Sequence, residues 1–310
     1  MARRKGKIQM WTEYLVVRAV LGILGALPRG AAVRAAMGIS NAAYHLLGNL
    51  RKTGRTNLRI AFPDLSEAEH EKILRGTFRS LGRVLGEVSQ FGKATPESLA
   101  SIADLTLDQA SLDLWDRLRS ERRGLVITTG HLGNWELLVF GFAALYEPMA
   151  YLARPLDNPL VEELTVAIRT RLGNRPLNKT NSALTAIRLL RNGEFVGVLS
   201  DVNAHPKEGV FVPFFGVPAC TTAGPATMAI RTRSLLYPIF CVFNEGTGRY
   251  ELVHGSPVEP AMTGDRDSDI AATTAAYTAE IEKVIRKYPD QWLWIHKRWK
   301  TRPKGESPLY

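Results

Sequence analysis

His131 and Glu136 bound the stretch of this chain best equipped for chemistry, Thr128-Thr129-Gly130-His131-Leu132-Gly133-Asn134-Trp135-Glu136. An imidazole can take a proton from a hydroxyl near neutral pH. A carboxylate on its other ring nitrogen fixes the tautomer and stabilises the imidazolium that forms. Residues five apart on a continuous helix point roughly 140° away from each other at 3.6 residues per turn. His131 and Glu136 can therefore meet only if the histidine sits in a loop and the glutamate in the first helical turn beyond it. That gives a base and its orienting partner, with the nucleophile left to be a hydroxyl of the substrate. The competing structural reading is a turn histidine followed by an acid that the helix dipole favours. Gly130 and Gly133 let backbone come close to a substrate, and Gly133 and Asn134 are expected to contact it.

The rest of the chain offers no protein nucleophile and no metal site. It has no GxSxG elbow, no HExxH and no GxxxxGK[ST] loop. Of two cysteines, Cys220 lies far in sequence from any histidine, and there is no CxxC pair. The six histidines are scattered, so neither a disulfide framework nor a structural zinc is expected.

The elements that must position His131 follow from hydrophobic periodicity. Apolar runs at 124–129, 149–152, 195–199 and 235–243 read as buried strands. Helices fit between and after them at 132–145, 158–173, 182–192, 223–232 and 267–287, the last ended by Pro289. Such alternation predicts an α/β fold with a mostly parallel central sheet flanked by helices. His131 and Asp201 then both emerge at carboxyl ends of strands, the edge where such sheets bind ligands. Asp201 is a candidate substrate contact or a turn cap. Before the sheet, 10–27 and 31–49 read as helices broken at Pro28-Arg29-Gly30, and 57–63 as a short connector. Ser66-Glu67-Ala68-Glu69 is a capping box that starts a helix to about residue 91. The division expected is a helical region over 1–100 and an α/β domain over 101–310, joined as one continuous unit.

Charge is concentrated at the front. Residues 1–60 hold eleven Lys/Arg and one acid, Glu13, a balance of +10 that equals the net charge of all 310 residues. Nucleic acid and anionic membrane are the two common partners of such an arm. The stretch 10–27, MWTEYLVVRAVLGILGAL, favours membrane. Glu13 and Arg18 spoil it as a spanning helix, and no cleavage site makes it a secretory signal. Lying in the interface plane, it could place Trp11 and Tyr14 at headgroup depth and let Arg18 snorkel. A buried core helix is the alternative.

The spacing His131-xxxx-Glu136 resembles the HX4D/E signature of glycerolipid and lysophospholipid acyltransferases, and HLGNWELL resembles its lipid A biosynthesis branch, the late lauroyl and myristoyl transferases. Further blocks follow in that family's order: Asn57 to Pro63 (NLRIAFP), Arg154 to Pro159 (RPLDNP), Gly209 to Gly216 (GVFVPFFG) with Thr221-Thr222, and Gln291 to Arg298 (QWLWIHKR) with Lys300 to Pro303. They span 57–303. The resemblance implies a glycerolipid acyltransferase-like fold with an N-terminal helical extension that associates with membrane. It implies that His131 is general base and Glu136 its orienting carboxylate. The hydroxyl of a glycolipid would attack the thioester of acyl carrier protein or acyl-CoA, with no acyl-enzyme, metal or cofactor. Arg154 maps to a basic position able to hold a phosphate or oxyanion. Phe211, Phe214 and Phe215 either line an acyl channel or belong to the core. Asp201-Val202 departs from the family's usual Asp-Gln, which puts a polar substrate contact at 202 in doubt. The implied location is the inner face of a bacterial cytoplasmic membrane. A phosphatidylinositol mannoside acyltransferase would share the motif, and a peripheral nucleic-acid-binding protein is the reading outside enzymes.

Overall fold

The structure, a computed structural model, describes residues 6–153, 155–177 and 182–310. Four helices lead the chain: α1 (Lys7–Ala26), α2 (Arg29–Leu46), α3 (Gly48–Ala61) and α4 (Glu67–Val88). The capping box is present, with Ser66 Oγ accepting from the Glu69 backbone and the Glu69 carboxylate accepting from the Ser66 backbone N–H. The expected connector at 57–63 is instead largely the last turns of α3. One side of that helix is basic and the other is buried: Asn57 and Leu58 are both fully enclosed. The basic residues disguise a helix that its packing sustains.

The second half alternates as expected and adds short elements. These are α5 (Pro96–Ile102), β1 (Ala103–Asp104), α6 (Gln109–Ser120), β2 (Leu125–Thr129), α7 (Trp135–Leu145), β3 (Ala150–Leu152), α8 (Pro159–Thr170), β4 (Arg175–Pro176) and α9 (Ser182–Arg191). After them come β5 (Phe195–Leu199), β6 (Gly209–Phe214), β7 (Val217–Thr222), α10 (Gly224–Thr232), β8 (Leu235–Asn244), β9 (Arg249–His254) and α11 (Arg266–Lys287). Among the described residues the main sheet runs β1-β9-β8-β2-β5-β3-β4. Its centre is parallel, and β9 pairs antiparallel with β8. Strands β6 and β7 form a separate antiparallel ribbon. Its turn residues Phe215 and Gly216 have φ of 51° and 74°, the double positive φ of a tight hairpin whose twist matches its strands.

Successive side chains of a strand point to opposite faces, so the sheet has two cores. Val126, Val196 and Leu236 face α9, α10, α11 and a group of aromatics. Leu125, Ile127, Met149 and Ile239 face α7 and its neighbours. The N-terminal helices are joined to the rest by buried polar contacts. Asn57 Nδ2 donates to the carbonyls of Trp294 and His296, each at 2.6 Å. Asn158 Nδ2, at the start of α8, donates to Met10 O and Glu13 Oε2 on α1 at 2.9 Å each.

Helix α1 is turned inside out relative to an ordinary surface helix. Its core contribution is Leu24, packed with Ala32 and Ala36. Its outer face carries Ile8 at 85% exposure and Trp11 at 54%, with Leu15, Val16 and Ile23 also exposed. No helix among the described residues is long and apolar enough to cross a membrane.

Candidate active site

The parallel register of β2 and β5 builds the site. Thr129 pairs with Leu199 at the carboxyl ends, and Ser200 N continues the ladder to Thr129 O at 3.0 Å. One step further, His131 and Asp201 stand opposite each other. His131 Nδ1 meets Asp201 Oδ1 at 2.9 Å, and the His131 backbone N–H donates to Asp201 Oδ2 at 2.7 Å. Trp292 Nε1 is the third donor to this carboxylate, reaching Oδ2 at 2.8 Å. The Asp201 side chain is 1% exposed and the His131 side chain 22%.

These contacts set the protonation states. Burial alone would raise the Asp201 pKa, but the facing imidazole, its hydrogen bond and the Trp292 donor win and hold it at about 2. Burial alone would lower the His131 pKa, but the charge and hydrogen bond of Asp201 prevail and raise it. An ionised carboxylate has no proton to give, so in the neutral imidazole Nδ1 carries the hydrogen and Nε2 keeps its lone pair. No described residue hydrogen-bonds Nε2, and the Trp135 ring stands 5.0 Å from the imidazole, edge to face.

The carboxylate against His131 is thus Asp201, and the expected contact with Glu136 is replaced. Glu136 does lie in the first turn of α7, as the spacing requires. Its side chain instead meets Arg169 near the end of α8. Arg169 Nε donates to Oε2 at 2.8 Å and its second nitrogen to Oε1. A bidentate guanidinium outcompetes an imidazole for a carboxylate within its reach. Glu136 still adds to the negative field that raises the His131 pKa. Arg169 was not singled out by sequence; the acid opposite it is the signal that could have prompted a search for a basic partner on a neighbouring helix.

Gly130 and Gly133 serve the protein's own backbone and side chains. A Cβ on Gly130 would lie 3.0 Å from the Asp201 carboxyl carbon, so glycine makes room for the carboxylate. Gly133 has φ of 63°, and a Cβ there would fall 2.1 Å from the carbonyl of Cys241. Asn134 is fully buried, caps α7 by accepting from Leu137 N at 2.9 Å, and donates its own N–H to Cys241 O at 2.7 Å. Both residues shape the loop from within. Arg154 lies outside the described residues.

Of the three phenylalanines, Phe214 and Phe215 are buried in the aromatic group with Trp294, Trp299 and Phe62. Phe211 is 40% exposed on the ribbon. An apolar cavity lies on the other face of the sheet, between β2, β3, β5 and helices α7 and α8. It is narrow, about 40 Å³. Ile127, Leu138, Val139, Phe142, Met149 and Ile239 make its apolar wall, and Thr129, Trp135, Glu136, Tyr151 and Arg169 its polar part. The strand period sends Phe214 to one core and the cavity to the other.

Sequence reasoning also left the closing segment without a structural role. Gly133 N donates to Gln291 O at 3.1 Å, and Leu293 N to His131 O at 3.0 Å. The Asn203 backbone N–H donates to His296 Nε2 at 3.1 Å. Burial holds the His296 pKa at about 4, which keeps that nitrogen an acceptor. Residues 291–301 therefore brace both the His131 loop and the Asp201 loop. Both cysteines are buried, and burial pushes each thiol pKa upward. No group of three or more His, Cys, Asp or Glu among the described residues could hold a metal ion.

The chain is an acyltransferase. Residues 2–301 match the model of the bacterial lipid A biosynthesis acyltransferase family, and the protein belongs to that family. It is 29% identical over 304 residues to the lipid A biosynthesis lauroyltransferase of Escherichia coli (strain K12), covering 97% of this chain and 95% of that one. It is 33% identical over 260 residues to the palmitoleoyltransferase of the same organism, covering 83% and 80%. The myristoyltransferase of that organism is 24% identical over 301 residues, covering 97% and 90%.

Proposed function

We propose that this enzyme moves a fatty acyl chain from a thioester of acyl carrier protein or coenzyme A to a hydroxyl of a lipid A precursor, with His131 as general base oriented by Asp201. The observation that carries the reading is the His131–Asp201 pair at the carboxyl edge, with Trp135 packed on the imidazole and lining an apolar pocket. Nε2 takes the proton of the acceptor hydroxyl, whose oxygen attacks the thioester carbonyl carbon. The carbonyl electrons move onto its oxygen and return as the C–S bond breaks. The departing thiolate takes the proton from the imidazolium, leaving an ester and a free thiol. Both substrates are held together, so proximity contributes and no acyl-enzyme forms. The acyl chain enters the apolar pocket beside α7 and α8 by parting its side chains. Glu136 acts by holding Arg169 at the polar part of that cavity and adds to the field at His131.

The apolar outer face of α1 lies in the headgroup region at the inner face of the cytoplasmic membrane, with Lys7 and Arg18 toward anionic lipid. Asn158 then links the membrane-facing helix to α8, which carries Arg169. The test is mass spectrometry of lipid A from a host lacking its own late acyltransferases. The wild-type gene should add one acyl chain and the His131→Ala gene none. A chain added by the alanine variant removes His131 from the mechanism.

A further inference from the structure

The geometry points to Tyr151 as the hydrogen-bond donor that receives the charge on the thioester carbonyl oxygen during acyl transfer. The assignment rests on the base and cavity proposed above. Tyr151 is 6% exposed on β3, and its hydroxyl is fully enclosed without a hydrogen-bond partner. Leaving a buried hydroxyl unpaired is unfavourable, so such a group usually marks strain, a water or a ligand position. Here it belongs to the polar part of an otherwise apolar cavity, with Glu136, Arg169 and Trp135. Trp135 in turn stands against His131. Burial raises the Tyr151 pKa, which keeps the O–H protonated and able to donate.

The surroundings select a developing oxyanion over a resting polar group. The Arg169 guanidinium is anchored through two nitrogens by Glu136, and it is close enough to the Tyr151 hydroxyl to oppose the effect of burial on it. A donor aligned before reaction, in a site with little water, stabilises negative charge without reorganising. When the acceptor oxygen attacks, the carbonyl electron pair moves to oxygen, and the Tyr151 O–H and the Arg169 charge face it. When the pair returns and the thiolate leaves, the hydroxyl keeps its proton.

A structural tyrosine and a catalytic one differ in the sign of their effects. Beyond the influence of Arg169 the buried hydroxyl makes no hydrogen bond of good geometry, so Tyr151→Phe should melt close to the wild-type temperature. Its kcat should fall on the order of 10²-fold, with the KM for acyl donor nearly unchanged. Purified full-length enzyme is assayed with a lauroyl thioester and detergent-dispersed lipid A precursor, beside Thr129→Val. The Thr129 hydroxyl is also unpartnered and lines the cavity. Wild-type kcat in Tyr151→Phe overturns the assignment, as does a loss confined to Thr129→Val, which would move the donor to β2. His131→Ala separates the two levels: if it is inactive while Tyr151→Phe is fully active, only the Tyr151 assignment fails. If it remains active, the reading beneath fails.

Discussion

Two carboxylates stand near one imidazole, and the protein holds them in different ways. Asp201 is fixed by backbone register: β2 and β5 pair in parallel, and the residue two past each strand end meets its counterpart. It is enclosed, receives three donors and contacts the ring. Glu136 is fixed by side chains alone, across two helices, and its partner is a permanent cation. The first arrangement sets proton affinity at His131. The second sets where a positive charge stands. Sequence proximity to a base therefore says little about which acid controls it.

The largest effect should come from Asp201→Asn. The amide can donate to Nδ1, which would place the hydrogen on Nε2 and remove the base. We expect kcat to fall on the order of 10⁴-fold. Activity in the wild type requires neutral His131, so it should decline as pH falls through a value above the ordinary ~6.5. In Asp201→Asn the charge that raises the imidazole pKa is gone, and the residual activity should keep its acid limb to lower pH. Glu136→Gln comes next, with a loss on the order of 10²-fold and near-normal thermal stability, because Arg169 remains hydrogen-bonded but less firmly placed. A Glu136→Gln loss exceeding that of Asp201→Asn would reverse the comparison.

Trp292→Phe sharpens it. One donor to Asp201 Oδ2 disappears, kcat should fall about tenfold for roughly 1.4 kcal/mol of lost alignment, and the less neutralised carboxylate should shift the acid limb upward. A downward shift would mean that the indole acts on His131 by another route. Trp11→Asp with Leu15→Asp on α1 should weaken flotation with anionic vesicles and lower activity on membrane-embedded acceptor. Activity on detergent-dispersed acceptor should change less than about twofold, the step assigned to binding rather than chemistry. Equal losses on both acceptors would place α1 in the catalytic unit. Smallest of all, Cys220→Ala and Cys241→Ala should keep most activity, and radiolabelled donor alone should leave no label on delipidated enzyme. Label that chases into product would establish an acyl-enzyme.

The strands carrying the site were legible because continuous apolar runs of five residues have few other uses, and the Ser66 box marked α4 for a local reason. Asp201 was placed at the right edge, yet its contact with His131 depended on strand order. Two parallel strands in one chain can be neighbours or can be separated by others, and periodicity is the same in both cases. Pro213 faces Pro218 across a two-stranded ribbon that tolerates both. Helix α3 was hidden because its buried side presents Asn57, Gly54 and Thr53, residues that score poorly as core until it is known that the closing segment holds Asn57 and that Leu74 packs on Gly54.

The brace formed by residues 291–301 gives the enzyme a birth order. Gln291, Trp292 and Leu293 reach back to residues made 91 or more positions earlier, fastening Gly133, Asp201 and His131. During synthesis the histidine and the aspartate leave the ribosome before the segment that aligns them, so ordering of the site waits on contacts of long sequence separation.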